Sequence, residues 1–180
     1  MDGPVELVPL ICIRCATPIP ASVDEMAWVC AQCGQGQQLD EDKGLLPLEV
    51  HFSDGIPTNS RGKPFWVAEG RVTLQRDTYD SGRKQKQEAQ QFWSQSQRFF
   101  IPAFTCTLDA LLTIGTGLLR HPPQLQSGSP AQFEPVTLCV QDAHAAAEFM
   151  VVAIEAERKD KIKEIKFNLQ LNEPALWILP

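Results

Sequence analysis

The hydrophobic period changes several times along the chain, and each change predicts an element. Leu46, Leu48, Val50 and Phe52 alternate with polar or smaller residues, the two-residue period of a strand. Residues 54–62 collect Asp54, Gly55, Pro57, Asn59, Ser60 and Gly62 and read as a loop. Pro64 to Leu74 reads as a long strand, with Gly70 as a bulge. Trp66, Ala68, Val72 and Leu74 share one face of it, and Phe65 and Val67 the other. Apolar residues on both faces predict burial on both sides near its start. Phe99 to Phe104 is an aromatic run in which Pro102 argues for an edge strand or an irregular connection.

Helical spacing follows. Leu108, Leu111, Leu112, Leu118 and Leu119 predict a helix with Thr107 as N-cap, ended by His121-Pro122-Pro123. Gly115 and Gly117 would let this helix approach a strand closely. Residues 121–135 hold four prolines and read as a loop. Val136, Leu138 and Val140 alternate as a strand. Asp142 then caps a second helix, whose stripe is Ala143, Ala146, Phe149, Met150, Ala153 and Ile154. Its opposite face carries Gln141, Glu148 and Glu155, and Lys159, Lys161 and Lys163 follow as a solvated end. Ile165, Phe167, Leu169 and Leu171 alternate as another strand. Leu176 to Leu179 form an apolar segment that must enter the core as a last strand or be held by a partner.

These elements predict an α+β fold: an N-terminal module, residues 1–52, and a domain over residues 63–180. The domain has a mostly antiparallel sheet with two packed helices. The unit from Val136 to Leu171 could instead join two parallel strands by a right-handed crossover. Residues 75–98 are glutamine-rich and read as a flexible excursion or an exposed helix. Phe92 and Trp93 interrupt them, either as anchors onto the core or as a docking site.

The sharpest chemistry lies before all of this. Cys12-Ile-Arg-Cys15 and Cys30-Ala-Gln-Cys33 are two C-x-x-C pairs separated by 14 residues. Two intervening residues let one tight turn present both sulfurs to one metal, and a hairpin brings the two turns together. Gly34 follows the second pair, where the turn needs positive φ or close backbone approach. Met26, Trp28 and Cys30 alternate as a strand leading in. This set reads as a structural zinc site with Cys12, Cys15, Cys30 and Cys33 as ligands. It resembles the zinc-ribbon family over roughly residues 5–52, with Ala16 where such knuckles often carry glycine. Ribbons of that family serve as nucleic-acid, protein-docking or structural modules, so the resemblance does not choose a function. A ribbon followed by Pro64-Phe65-Trp66 also loosely resembles uncharacterised bacterial proteins, which implies no activity.

Composition narrows the classes. The formal charge is −6, and four thiolates on one Zn²⁺ would make it roughly −8. That opposes non-specific attraction to nucleic acid. No run of apolar residues is long enough to span a membrane. The polar, acidic start is unlike a signal peptide, so a reducing cytoplasm is expected, where paired C-x-x-C reads as metal rather than disulfide. Cys106 and Cys139 are isolated in apolar stretches and read as buried thiols. No phosphate loop, H-E-x-x-H, G-x-S-x-G or paired-carboxylate motif is present, and His51, His121 and His144 are scattered. A four-cysteine shell leaves no open position for water, so no enzyme is expected. The expectation is a non-catalytic protein-interaction or assembly subunit, with Phe92, Trp93 and Trp177 as candidate partner contacts. The alternative is a nucleic-acid accessory protein using the ribbon and Arg71, Arg76, Arg83, Lys84 and Lys86.

Overall fold

A computed structural model describes residues 9–79, 83–158 and 162–180. Lys159 and Lys161 of the predicted charge run lie outside the described residues. In chain order the strands begin with β1 (Ala27–Val29), β2 (Gly36–Asp40), β3 (Gly44–Pro47), β4 (Val50–Phe52) and β5 (Lys63–Thr78). Then come α1 (Arg83–Trp93), β6 (Gln97–Pro102), α2 (Leu108–Arg120), α3 (Ala143–Ala156), β7 (Ile162–Leu171) and β8 (Ala175–Leu179). The result is α+β. The strands β1-β2-β3 form a small antiparallel sheet beside a five-stranded sheet ordered β4-β8-β5-β6, with β7 also on β5.

β5 is the axis of the larger sheet. On one edge it pairs with β6 from Phe65 to Gly70. On the other it pairs first with β8 and then with β7, both antiparallel. Its alternation sorts the core into two layers, as the pattern predicts. Trp66 and Val72 join the larger cluster with Phe99, Ile101, Met150, Leu176 and Ile178. Phe65 and Val67 join a smaller one with Phe100, Phe104 and Leu179. Each of these large side chains contributes about 1.5–3 kcal/mol by leaving water. Pro102 ends β6, whose outer side meets no further strand among the described residues, in accord with the edge position.

Other expectations are corrected. The alternating run at 46–52 divides. β3 stays in the small sheet, while β4 lies parallel to β8 with Val50 opposite Leu176. No strand forms at Val136–Val140. The Thr137 and Leu138 N–H groups both donate to the Ala103 carbonyl, and the Leu138 carbonyl accepts the Trp66 indole N–H at 2.8 Å. Those bonds take the place of a ladder, so a crossover into β7 is also absent. Val140–Asp142 is a 3₁₀ turn that runs into α3, and Asp142 makes no capping bond. Thr107, in contrast, caps α2 by accepting from the Ala110 N–H. Gly115 meets Met150 of α3 rather than a strand: a Cβ there would lie 2.8 Å from its Sδ.

The face of α3 is turned relative to the predicted stripe. Ala143, Ala146, Ala147, Met150, Val151 and Ile154 are buried, while Phe149 is 54% exposed. This helix is apolar nearly all round, so periodicity alone cannot orient it. The cluster of small alanines selects the side that lies closest to the sheet. Glu155 comes with that side and is fully buried, not solvated. Its Oε1 accepts the Trp93 indole N–H at 2.8 Å and lies 2.9 Å from Arg158 Nε. Its Oε2 lies 2.8 Å from Nε of Arg76, itself buried. One carboxylate thus joins α1, α3 and β5.

Candidate metal centre

Two turns with the same hydrogen-bond pattern bring the four N-terminal cysteines together. In the first, the Cys12 N–H donates to Thr17 O and the Ala16 N–H to Cys12 O. In the second, the Cys30 N–H donates to Gln35 O and the Gly34 N–H to Cys30 O. The residue after each C-x-x-C stands in the left-handed region, Ala16 at φ 58° and Gly34 at φ 72°. A left-handed conformation costs an L-residue about 1–2 kcal/mol that glycine does not lose. Ala16→Gly is therefore expected to stabilise the first turn by about 1 kcal/mol. Slower metal loss to a competing chelator would show it; unchanged or faster loss would contradict it.

The four Sγ atoms all lie within 4.8 Å of one another. Cys12 and Cys33 are 3.5 Å apart, and Cys15 and Cys30 are 3.6 Å apart. A disulfide requires about 2.05 Å. Sulfurs bound about 2.3 Å from a tetrahedral ion stand about 3.8 Å apart. The set can hold one metal ion. Cys12 and Cys30 are buried, Cys33 is half-buried and Cys15 is exposed.

Proton affinities within the cluster diverge. The Thr17 hydroxyl, 3.2 Å from Cys15 Sγ, together with the Thr17 N–H, draws the Cys15 thiol down to about 6. The Cys12 thiol is also lowered: burial opposes ionisation, but the N–H groups of Cys15 and Arg14 outweigh it. At Cys33 the Gln35 N–H favours the thiolate, yet burial and the neighbouring sulfurs push it up to about 12. Four sulfurs this close cannot all shed their protons without a cation among them. A divalent ion held among them would supply that charge.

Gln37 is the supporting residue that sequence reasoning missed. It is fully buried in β2, accepts the Ile13 N–H at 3.1 Å and donates to Ile11 O at 3.3 Å. Its amide ties the first turn to the small sheet. One glutamine among Gln32, Gln35 and Gln38 carries no periodic signal.

The centre is seated on the larger domain. Ala27 is part of the main core, and the Met26 N–H donates to Val136 O at 2.7 Å. Gln141 Nε2 donates to Asp40 Oδ2 at 2.9 Å. Gly36 permits the approach of the following segment, since a Cβ there would stand 2.3 Å from Leu48 O. No protein-family model, curated protein or solved structure matches this chain.

The other singled-out residues do not join the centre. Trp93 is buried against Glu155, and Phe92 packs edge-on to it. Trp177 packs on the smaller core cluster and stacks on His51 at 4.8 Å. Cys106 and Cys139 are half-buried, and burial raises both thiols. The Nε2 of His144 lies 3.3 Å from Leu169 O, and His121 ends α2. Of the basic residues, Arg76 is turned inward to Glu155, while Lys84 pairs with Glu88 across one helical turn at 3.9 Å. No helix among the described residues is long and apolar enough to cross a membrane.

Proposed function

We propose that this chain is a non-catalytic interaction or assembly subunit, in which a structural zinc ribbon stiffens a docking surface. Zinc is the ion that best suits four cysteine sulfurs in tetrahedral array, and a shell complete in protein ligands leaves no position for a reacting water. The observation that carries the docking role is the first turn itself. Ile11 and Ile13 flank the buried Cys12, yet are 42% and 44% exposed. A metal-stiffened turn that holds two isoleucines in water offers a preordered apolar contact, which lowers the entropic cost of binding. The seating of the ribbon on the main core supports the same reading, because it fixes that contact relative to the domain.

The test is native mass spectrometry of the protein from its own host, with metal content read in the same spectrum. One zinc and a co-purifying chain are expected, and the doubly substituted Ile11→Lys, Ile13→Lys protein should keep the zinc but lose the chain. A wild-type protein that carries zinc and no other chain would refute the docking role. A metal other than zinc would refute the ribbon assignment.

A further inference from the structure

Over residues 163–167 the outer edge of β7 meets no strand among the described residues, and its charges at 164 and 166 are self-complementary. β7 pairs with β5 along one side, with Val72 opposite Leu169, Leu74 opposite Phe167 and Arg76 opposite Ile165. Two observations fix which backbone groups point outward. The Asn172 N–H donates inward to Glu69 O, and Leu169 O faces His144 Nε2 instead of β5. Because the ladder alternates, the N–H and C=O groups of odd-numbered Lys163, Ile165 and Phe167 point away from β5. No strand among the described residues pairs with them.

The side chains decide what fits there. On the polar face Glu164 and Lys166 are both exposed and lie 3.1 Å apart. An antiparallel copy related by a two-fold axis at Ile165 would place Ile165 against Ile165. It would also place Glu164 of each copy opposite Lys166 of the other. The same register satisfies the outward groups of Lys163, Ile165 and Phe167 with about six backbone hydrogen bonds. We propose that β7 pairs with β7 of a second copy of this chain, joining two sheets edge to edge in an isologous dimer. This inference is independent of the zinc ribbon and of the docking role of Ile11 and Ile13. An edge of this length gives a modest interface, so association at micromolar rather than nanomolar concentration is expected.

Sedimentation equilibrium of the full, metal-loaded chain tests this. A reversible dimer is expected between low micromolar and millimolar concentration. Glu164→Lys alone sets like charges opposite one another twice and should weaken the dimer about tenfold. Lys166→Glu alone should do the same, and the double variant Glu164→Lys, Lys166→Glu should restore it. Ile165→Pro removes an N–H that faces away from β5, a position where an edge strand tolerates proline. It should abolish the dimer while metal content and far-UV circular dichroism stay unchanged. A strictly monomeric wild-type protein would overturn the proposal. So would a dimer that persists in Ile165→Pro, or single charge variants that bind as tightly as the wild type. Binding of an unrelated strand peptide without self-association would equally replace the second copy as occupant.

Discussion

Replacing Cys30 with serine is expected to dissolve the small sheet while leaving the larger one folded. Cys30 is buried at the start of the second turn, and its sulfur is one of four in contact. The three strands β1 to β3 have lengths of 3, 5 and 4 residues, too short to bury a core of their own. Metal binding at such a site supplies about 10–16 kcal/mol of folding free energy. Without it the hairpins have little to hold them. Bound metal should fall from one equivalent to a small fraction, and Trp28, buried beside the second turn, should become exposed. The larger sheet keeps its two-layer core, losing mainly Ala27 and the Met26–Val136 bond. Limited proteolysis should then cut within residues 9–47 and spare the remainder. A strong chelator should reproduce the pattern in the wild-type protein. If Cys30→Ser left the proteolytic map unchanged, the cluster would not be what holds the small sheet together.

The second large effect is expected at Glu155. Glu155→Gln keeps the shape of the side chain but removes the charge that Arg76 and Arg158 face. The Arg76 side chain is only 2% exposed, so water cannot take over. Breaking a buried ion pair from one side costs about 3–5 kcal/mol, because the remaining charge stays buried. For a chain of this size that lowers the melting temperature by about 6–20 °C. Glu148→Gln on the outer side of the same helix serves as the control and should change stability by less than about 0.5 kcal/mol. Trp93→Phe should fall between them, since it removes one hydrogen bond to the carboxylate and no charge. Denaturant titration of the three variants measures the order. Equal stabilities for Glu155→Gln and the control would show that the buried pair contributes nothing net.

The sequence carried some of this clearly, and the reasons are physical. Four cysteines at C-x-x-C spacing specify their own geometry, because so few arrangements bring four sulfurs to one point. The two faces of β5 were legible because a strand's period is two and its apolar residues are large. The turn of α3 was not legible. With Phe149, Val152 and several alanines on different sides, the helix offers two apolar faces, and only packing selects one. Glu155 followed the default that charged residues face water. One clue to its burial was present: Arg76 falls on the same strand parity as Trp66, Val72 and Leu74. A cation continuing a core-facing set calls for a buried anion opposite. Position 16 is a milder case, since alanine hides a left-handed conformation that glycine at 34 advertises. Val136 to Val140 alternates like a strand, but one carbonyl and one indole had already claimed its polar groups.

The place of β8 in the sheet bears on how the chain can fold as it is made. Residues 175–179 lie between β4 and the start of β5, and the positions they pair with, 50–52 and 63–67, come more than a hundred residues earlier. A nascent chain emerging from the ribosome can close the small hairpins around the four cysteines early, because their partners are local. The larger sheet can pair β5 with β6 early but is not complete without β8. Until β8 is released, Leu176 and Ile178 are missing from the main core and β4 lacks its neighbour. Non-local closure of this kind folds slowly and leaves aromatic surface uncovered while it waits. Phe65 and Trp66 would spend that interval exposed, so the synthesis of this chain is the stage at which chaperones have the most to protect.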